Sequence, residues 1–539
     1  MFLFDISASS VVSSCYSTHA PFEVSLQTMA IFLVCSLSIV VAAILVILNY
    51  CSTLPYDPKQ PPCIRPKIPI IGHMVGLLRH GTGYYSIIAE ECKLPIFTLE
   101  IGKTKTYVIT SPNLAAVCDR RSKVVSFAPC ALNFAKRILL ASEPTMRLLS
   151  ENVAEEKGPV GLRVENMRAI HQSLVPGDHL NEISHTMLTH LANIFESEFG
   201  NGKESQIPLF QWIRNFVTIA STDTLYGSES NPLRDSDVMD GFWEVDRGFA
   251  LLALAVFPRI LAPKASRGRE RVFKGFLEYY TNHGFATASR IVKARYEVNC
   301  KYNVSQEDIA RFDLGVCTGL LVNTIPATFW AVLRVFSNPD LLHELRQSLH
   351  KTACLDNAAD PSQYPTMTVS VSQVIKECPL LESLVTEVLR LHSNNSSTRV
   401  LLDDVSIKDP GGDTYLLKKD SFLTVPSALF HQNEVLWGLT AKTFDPARFI
   451  SHNKFRTSAN RTFGGGNALC PGRHFAMNEI TSFLIIVLLR FDIDPMDGLW
   501  ALPESTHHIS TSILTPVEDV WVKIKLREGL RDVKWNFEW

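Results

Sequence analysis

A glycine-rich loop that ends in a cysteine is the part of the sequence best suited to chemistry. It reads Phe463-Gly-Gly-Gly-Asn-Ala-Leu-Cys470-Pro-Gly-Arg-His-Phe-Ala476. Its glycines let the backbone approach a flat ligand closely, and the apolar run 475–489 predicts a following helix with proline at its start. Free backbone N–H groups and the positive end of that helix would both lower the pKa of Cys470. The pattern therefore predicts a thiolate, and the alternative is a turn followed by a structural cysteine.

Two charged motifs precede this loop. Glu387-Val-Leu-Arg390 lies in a helical pattern, and the i, i+3 spacing places both side chains on one face, where they can pair. An isolated Glu-x-x-Arg is normally an exposed surface pair. Here Phe444-Asp-Pro-Ala-Arg448-Phe449 follows it, just upstream of the cysteine loop, and offers a second arginine to the same carboxylate.

A third motif combines an amide, a hydroxyl and a proline in an apolar helix. The run from Gly319 to Trp330 contains Asn323, Thr324 and Pro326. Proline lacks an N–H and clashes with the preceding turn, so Pro326 should free the carbonyl of Val322 and kink the helix. The opened turn would leave room for a small ligand, although a kink that only serves packing is the alternative.

The N-terminal residues carry the pattern of a membrane anchor. Between Glu23 and Asp57 there is no charged residue, and 29–48 is almost wholly apolar, which is long enough to cross a bilayer as a helix. Positively charged residues follow the apolar run, and none precedes it. Because positively charged flanks face the cytosol, this pattern predicts that the C-terminal part is cytosolic. We therefore predict four segments, with a buried core helix as the alternative for the second. They are a short lumenal segment (1–26), a transmembrane anchor (27–50), a proline-rich linker (51–70) and one large domain (71–539).

Composition narrows the class of protein further. The chain has 539 residues, 46% of them hydrophobic, and a formal net charge of −2, which argues against nucleic acid as a partner. Its 12 cysteines form no Cys-x-x-Cys pair, so neither a zinc cluster nor a disulfide framework is indicated. Most of the large domain has helical periodicity. The expected fold class is mainly α with a minor β region.

Local patterns place several elements of this domain. Residues 96–109 alternate around a Gly-Lys pair and predict a β-hairpin. Strand-like patterns return near 398–425 and 507–526. The clearest helical stretches are 184–199, 239–257 and 270–297.

The order of Phe463, Gly466, Cys470, Gly472 and Ala476 closely resembles the signature of the cytochrome P-450 family. The resemblance implies that Cys470 is the axial ligand of the iron of haem b, with Phe463, Gly466 and Gly472 helping to bind that cofactor. A thiolate ligand pushes electron density toward bound oxygen and favours O–O cleavage. It also implies the cytochrome P-450 fold, preceded by one N-terminal transmembrane helix.

The same resemblance assigns roles to the charged motifs. In the family, a Glu–Arg–Arg set equivalent to Glu387, Arg390 and Arg448 locks the segment that leads to the haem ligand. Family members often have a basic residue two positions before the cysteine, where this chain has Ala468. The haem propionates would then depend on Arg399 and on His171. His171 comes from an earlier helix, which lacks the tryptophan that is usual in the family.

The distal-helix motif departs from the usual pattern. Most members have an acid followed by a threonine at the positions of Val322 and Asn323, and these groups deliver protons to oxygen. Asn323 can donate hydrogen bonds but cannot relay protons as an acid does. The motif resembles the branch that contains the sterol 7α- and 12α-hydroxylases and prostacyclin synthase. By this resemblance Asn323 and Thr324 are the candidate catalytic residues.

The resemblance also predicts partners and location. Electrons would come from an NADPH-cytochrome reductase, a flavoprotein, docking near a basic cluster of Lys454, Arg456, Arg461 and Arg473. The catalytic domain would face the cytosol from the endoplasmic reticulum membrane, where membrane lipid is a partner. A hydrophobic small-molecule substrate would contact segments 318–328, 394–400 and 509–515, which are rich in aliphatic residues and threonine.

The leading hypothesis is a monooxygenase that uses O2 and reductase-supplied electrons. Its substrate would be sterol-, terpenoid- or meroterpenoid-like, and its setting a fungal pathway of secondary metabolite biosynthesis. The first alternative is a haem-thiolate isomerase or dehydratase acting on an oxygenated lipid without external electrons. The second is a non-catalytic haem sensor or carrier.

Overall fold

The computed structural model describes most of the large domain and part of the N-terminal helix. The described residues are 31, 33–43, 56–66, 68, 71–102, 104–153, 159–200, 202, 204–356, 365–450, 459–506, 510–530 and 533–539.

Helices make up most of the described chain. They are α1 (Leu33–Ala43), α2 (Gly72–His80), α3 (Gly83–Cys92), α4 (Pro112–Asp119), α5 (Ala128–Arg137), α6 (Glu143–Ser150), α7 (Leu162–Leu174), α8 (Asp178–Phe199), α9 (Leu209–Tyr226), α10 (Ser236–Arg247), α11 (Phe249–Leu254), α12 (Pro258–Leu261), α13 (Pro263–Thr281), α14 (Arg290–Lys301), α15 (Gln306–Leu321), α16 (Thr324–Phe336), α17 (Pro339–Thr352), α18 (Val371–Glu377), α19 (Pro379–His392), α20 (Ser427–His431), α21 (Glu434–Trp437) and α22 (Arg473–Arg490). Short 3₁₀ turns occur at Pro232–Arg234, Gly284–Thr287 and Gly466–Ala468.

The strands are short and form small sheets. They are β1 (Cys63–Ile64), β2 (Ile96–Ile101), β3 (Thr104–Ile109), β4 (Val125–Ser126), β5 (Ser205–Pro208), β6 (Ala353–Asp356), β7 (Thr366–Ser370), β8 (Ser396–Leu401), β9 (Val405–Lys408), β10 (Thr414–Leu417), β11 (Phe422–Pro426), β12 (Phe491–Pro495), β13 (Ser505–Thr506), β14 (Thr515–Pro516), β15 (Trp521–Leu526) and β16 (Lys534–Glu538). The prediction of a mainly helical fold with a minor β region is confirmed.

The largest sheet has six strands in the order β1-β2-β3-β11-β8-β4. Its β2–β3 hairpin is the predicted one, with Gly102 at φ 62° in the turn. The β8–β11 pair falls within the predicted strand region 398–425 and lies beside the hairpin. Strand β1 comes from the predicted linker and pairs with β2, so this part of the linker joins the domain.

Two of the predicted helical stretches are helical over most of their length but interrupted. The stretch 239–257 breaks at Gly248, where an added Cβ would lie 2.4 Å from the side chain of Ala265. The stretch 270–297 covers the end of α13, a 3₁₀ turn and the start of α14. Gly248 both separates α10 from α11 and packs against α13, and helical periodicity alone does not reveal this break.

The central helix is interrupted where the sequence predicts a kink. Helix α15 ends at Leu321 and α16 begins at Thr324, so Val322 and Asn323 form the break. Pro326 lies in the first turn of α16, where its missing N–H costs little. Helix α16 is almost entirely buried and packs against α9, α19 and α22. The break therefore lies in the interior of the domain.

The N-terminal helix α1 lies inside the predicted anchor and exposes its apolar side chains. The rest of the 27–50 segment, apart from Ile31, and the whole 1–26 segment lie outside the described residues. One stretch of the described chain, Gln306–Phe336, has the length and apolar character of a membrane span, but 72% of its apolar 18-residue window is buried within the protein. The membrane-spanning role of 27–50 stays a prediction.

Candidate active site

The cysteine loop is a tight turn that holds Cys470 just before helix α22. The Cys470 N–H donates to the Phe463 carbonyl at 2.9 Å, which closes the loop on itself. Gly464 and Gly466 have φ of 86° and 58°, a conformation that favours glycine. A Cβ at Gly466 would also lie 3.0 Å from the Asp119 carbonyl. The loop thus needs glycine both for its turn and for its close approach to the end of α4.

The thiol of Cys470 is half-buried, and its pKa is raised, not lowered. Burial is the main cause, while the Gly472 backbone N–H and the charge of Arg473 act in the opposite direction. The expectation that the loop lowers the pKa of this thiol is therefore wrong for the protein alone. Helix α22 begins at Arg473, and Gly472 occupies its N-cap. A coordinated metal ion deprotonates a thiol outright, so the thiolate form of Cys470 would follow from coordination.

Glu387 lies at the centre of a buried ion network. Arg390 donates from Nε to Glu387 Oε2 at 2.7 Å and from Nη2 to Oε1 at 2.8 Å. Arg448 donates from Nε to Oε1 at 3.0 Å, and the Asp445 N–H donates to the same oxygen at 3.2 Å. The side chains of Glu387 and Arg390 are fully buried, and that of Arg448 is 4% exposed. The structure thus brings the three predicted network residues into direct contact.

This network extends to the residues just before the cysteine loop. Arg390 also donates to the carbonyls of His431 and, at 2.7 Å, Ala441. Burial and the nearby Arg390 lower the pKa of His431 to about 3, so its ring is neutral. Its Nε2 accepts the N–H of Arg461 at 2.8 Å. The carboxylate on α19 therefore orders the chain that leads toward Cys470.

A second ion cluster joins the loop to the main sheet. Asp119, at the end of α4, accepts hydrogen bonds from Arg399 at 2.7 Å and from Arg461 at 3.1 and 3.2 Å. Arg399 also donates to the Gly465 carbonyl at 2.6 Å. Burial would raise the pKa of Asp119, but the hydrogen bonds and charge of the two arginines outweigh it and lower the pKa. Asp119 carries no recognisable sequence signal and was missed.

The cluster contains more positive than negative charge. Arg399 and Arg461 are 1% and 3% exposed, and they share the single carboxylate of Asp119. Among the described residues, the Nε atom of each arginine is buried without a hydrogen-bond partner. A buried charge is stable only when it is paired. The cluster can therefore accept a further carboxylate beside the cysteine loop.

The distal-helix residues meet a loop from the C-terminal part of the chain. The Ser512 N–H donates to Asn323 Oδ1 at 2.6 Å. The Ser512 carbonyl accepts the Asn394 N–H at 2.7 Å, and the Leu514 N–H donates to the His392 carbonyl at 2.9 Å. The three predicted pocket segments, as far as they are described, are thus joined at the break of the central helix.

Open space borders this break. An added Cβ at Gly319, one turn before Asn323, would meet no heavy atom within 4 Å. Thr324 donates its hydroxyl to the Leu320 carbonyl at 2.8 Å. A cleft of about 450 Å³ elsewhere in the described part of the chain is lined mainly by residues of α8, α9 and α14 and contains none of the predicted site residues.

One predicted contributor has different surroundings from those expected, and a second stays a prediction. His171 is exposed near the end of α7, and its contact with a haem propionate is the untested prediction. Arg461 is buried against Asp119, so its placement in an exposed basic docking patch is wrong. Lys454 and Arg456 lie outside the described residues. The pairing of Arg461 depends on a residue 342 positions away, which the local sequence does not reveal.

Comparison with known proteins defines the class. The family model described as "Cytochrome P450" matches residues 285–517, which include the central helix, the Glu387 network and the cysteine loop. The chain belongs to the cytochrome P450 family.

The relatives lie among fungal and mammalian members. The chain is 31% identical over 492 residues to cytochrome P450 monooxygenase nodJ of Hypoxylon pulicicidum, covering 89% of this chain and 92% of that protein. It is 27% identical over 498 residues to a cytochrome P450 monooxygenase of Gibberella zeae, covering 89% and 92%. It is 24% identical over 390 residues to cholesterol 7-alpha-monooxygenase of Cricetulus griseus, covering 68% and 76%. The chain is a cytochrome P450 monooxygenase related to sterol hydroxylases.

The residues present fit the haem-iron cofactor of this family. A single half-buried thiol is held at the end of a loop that only glycines can form. Two buried arginines with unpartnered Nε atoms can bind a carboxylate, which a haem propionate would supply.

Proposed function

We propose that this chain is a haem-thiolate monooxygenase that oxidises a hydrophobic sterol-, terpenoid- or meroterpenoid-like substrate in secondary metabolite biosynthesis. The observation that carries the proposal is the anchoring of the Cys470 loop by two buried ion networks, one centred on Glu387 and one on Asp119. A loop anchored in this way would hold the sulfur ligand of a bound metal in a fixed position.

Each part of the site has a task in this proposal. Cys470 would hold the iron of haem b, and Arg399 and Arg461 would hold its propionates. Haem bound through a thiolate supplies the activation of molecular oxygen. Phe463, Gly466 and Gly472 shape the loop that approaches the flat ring.

Asn323 orients a ligand group in the proposed site. Its Oδ1 is occupied by the Ser512 N–H, so the amide presents its Nδ2 hydrogens as the remaining donors. Asn323 is half-buried at the break of the central helix, beside the open space at Gly319. A donor in that position can hold an oxygen atom of the substrate or of bound dioxygen. An amide does not relay protons as a carboxylic acid does, so proton delivery needs another group.

The proposed substrate class follows from the lining and from the relatives. Segments 318–328 and 394–400 and the described part of 509–515 bring mainly aliphatic and hydroxyl side chains to the helix break. Such a lining favours an apolar substrate held by few polar contacts. The relatives include proteins named as cholesterol 7-alpha-monooxygenase and as fungal monooxygenases. A polycyclic terpenoid or sterol skeleton fits both observations.

Electron supply and membrane location complete the proposal. We infer that an NADPH-cytochrome reductase, a flavoprotein, delivers the electrons, and that the protein is attached to the endoplasmic reticulum membrane by residues 27–50. The exposed apolar residues of α1 support the attachment. Phe257 and Ile260, beside and within α12, are 72% and 74% exposed and offer a second lipid contact.

The decisive measurement is the reduced carbon-monoxide difference spectrum of the full-length protein in membranes. Wild type should give the Soret band of a thiolate ligand, and Cys470→Ala should lose it. Cys92→Ala is the matched control, because Cys92 is also a half-buried free cysteine but lies in the distant helix α3. A haem-loaded wild type without the thiolate band would overturn the proposal.

Turnover assays then separate the reaction classes. Product formation that requires NADPH, O2 and the reductase supports monooxygenation. Turnover of an oxygenated lipid without these components would instead indicate the isomerase or dehydratase. A thiolate spectrum with neither activity on a panel of terpenoid and sterol substrates would indicate a non-catalytic haem sensor or carrier.

A further inference from the structure

Trp330, the last residue of the distal-helix motif, is a fully buried tryptophan with a directed hydrogen bond. It is 1% exposed and lies on α16, about two helical turns after Asn323. Its indole Nε1 donates to the Leu514 carbonyl at 2.7 Å. Leu514 belongs to the predicted pocket segment 509–515. The indole therefore joins α16 to a segment that is predicted to contact the substrate.

The ring of His392 stacks on the ring of Trp330. The two ring centroids are 4.1 Å apart, and the ring planes are inclined by 11°. Burial and the charge of Arg334 lower the pKa of His392 to about 3, so a neutral ring stacks on the indole. The His392 carbonyl also accepts the Leu514 N–H at 2.9 Å. Trp330, His392 and Leu514 thus form a closed set in which each residue contacts the other two.

Side chains near the helix break hold both ends of the short segment 512–514. At one end the Ser512 N–H donates to Asn323 Oδ1 at 2.6 Å, and at the other the Leu514 carbonyl accepts from Trp330. Between them, the Ser512 carbonyl and the Leu514 N–H pair with residues 392–394 at 2.7 and 2.9 Å. The four backbone polar groups of Ser512 and Leu514 are therefore all bound.

The Asn323 amide depends on this segment for its orientation. Asn323 is the N-cap residue of α16, but its side chain makes no capping hydrogen bond to that helix. The Ser512 N–H marks the amide oxygen as an acceptor, which decides the direction of the Nδ2 hydrogens. The position of Ser512 is fixed in turn by the bond between Trp330 and Leu514, two residues further along the segment.

Burial alone does not explain the hydrogen bond of Trp330. Among the described residues, the indole Nε1 atoms of Trp212, Trp243 and Trp535 are buried without a hydrogen-bond partner. A tryptophan that only fills space in this fold can therefore leave its N–H unbound. The N–H of Trp330 instead meets a carbonyl of the segment that orients Asn323.

The same contacts connect the distal segment to the cysteine side of the domain. His392 is the last residue of α19 and lies two positions after Arg390 of the buried ion network. One helix thus holds both the chain that leads to Cys470 and the segment bound by Trp330. A fixed relation between the two sides is what a site with preorganised geometry needs.

We propose that Trp330 is a positioning residue that orients the Asn323 amide through the segment 512–514. The indole N–H and the stacked ring of His392 fix the segment, and the segment fixes the amide. The proposal rests on the proposed monooxygenase function, in which Asn323 holds an oxygen atom of the substrate or of bound dioxygen. No bond is made or broken at Trp330.

Hydrogen exchange of the full-length, haem-loaded protein tests the first link without turnover. Trp330→Phe keeps a ring that can stack on His392 but removes the N–H, so peptides covering 510–514 should exchange roughly 5-fold faster. Trp437→Phe is the matched control, because Trp437 is also buried and donates Nε1 to the Phe430 carbonyl at 2.8 Å. This control should leave exchange in 510–514 unchanged. Unchanged exchange of 510–514 in Trp330→Phe would overturn the proposal.

The C–O stretching frequency of carbon monoxide bound to the reduced protein tests the second link. Hydrogen-bond donors in the distal pocket act on a ligand of the iron. Asn323→Ala removes the amide donor and should shift the frequency. Trp330→Phe should shift it in the same direction, because the amide loses its fixed orientation, whereas Trp437→Phe should not. A frequency in Trp330→Phe equal to that of wild type would overturn the proposal.

Two further measurements keep these outcomes separate from loss of folding and from failure of the proposed function. If Trp330→Phe does not bind haem, replacement of the Trp330 indole by a benzothiophene decides, since it keeps the ring size and lacks only the N–H. Failure of the proposed function would show as a wild type without the thiolate carbon-monoxide band. Exchange in 510–514 would then still respond to Trp330→Phe.

Discussion

Glu387→Gln is the substitution whose effect follows most directly from the structure. The change preserves size but removes the negative charge that pairs with Arg390 and Arg448. Three charge-assisted hydrogen bonds of 2.7, 2.8 and 3.0 Å are affected. The glutamine amide keeps one acceptor oxygen, but it turns an N–H group toward a guanidinium.

The expected loss of stability is about 3–5 kcal/mol, the range for removing one partner of a buried ion pair. The reason is that both arginines stay in place, with side chains 0% and 4% exposed, and lose their counter-charge. An exposed pair would lose no more than about 1 kcal/mol.

The assay is urea unfolding of the detergent-solubilised protein, followed by tryptophan fluorescence. The thiolate carbon-monoxide spectrum should weaken in parallel, because Arg390 also holds the carbonyls of His431 and Ala441. Glu382→Gln is the matched control, since Glu382 lies on the same helix but is exposed and should change stability by less than about 0.5 kcal/mol. A loss below about 1 kcal/mol in Glu387→Gln, with an unchanged spectrum, would refute the reasoning.

Three further expectations concern other parts of the molecule. Ser512→Pro removes the N–H that orients the Asn323 amide, so it should lower the amount of product formed per NADPH. Ser512→Ala keeps that N–H and should not lower it. Equal amounts of product per NADPH in the two variants would contradict the role of this hydrogen bond. The pKa of Asp119 is lowered in the folded protein, so its ionisation stabilises the fold above the unfolded-state pKa and this stabilisation disappears as the pH falls through the folded value. The difference in unfolding free energy between wild type and Asp119→Asn should therefore shrink below about pH 4, and a constant difference in pH-dependent urea titrations would argue against it. In a variant that begins at residue 56 and so lacks the predicted anchor, the double substitution Phe257→Asp and Ile260→Asp should reduce flotation with liposomes. Unchanged flotation would exclude this lipid contact.

Local patterns in the sequence predicted the features that depend on near neighbours. The β2–β3 hairpin, the interruption before Pro326 and the pairing of Glu387 with Arg390 all involve residues a few positions apart. Turn preference, the missing proline N–H and the i, i+3 spacing are sufficient for these features. The cysteine loop belongs to the same group, because its glycines and its closing hydrogen bond lie within a short segment.

The breaks within the predicted long helices show the limit of this reasoning. Periodicity predicted helix over 239–257, but α10 ends at Arg247 and α11 begins at Phe249, with Gly248 between them. A Cβ at Gly248 would lie 2.4 Å from the side chain of Ala265 on α13, a contact with another helix that the apolar pattern along one segment does not reveal.

The sequence by itself determined the family, the candidate iron ligand and the Glu–Arg–Arg set, since ordered motifs carry that information. Only the tertiary structure shows which charged and polar groups contact each other. Arg461 pairs with Asp119, although the sequence placed it in an exposed docking patch. The Asn323 amide binds Ser512, which is 189 positions away in the chain. It also reversed the expected shift in the pKa of Cys470, because desolvation by the surrounding fold exceeds the effect of the local N–H groups and charge. Contacts between residues distant in sequence and the desolvation of buried groups both arise from three-dimensional packing. No local sequence pattern therefore predicts them.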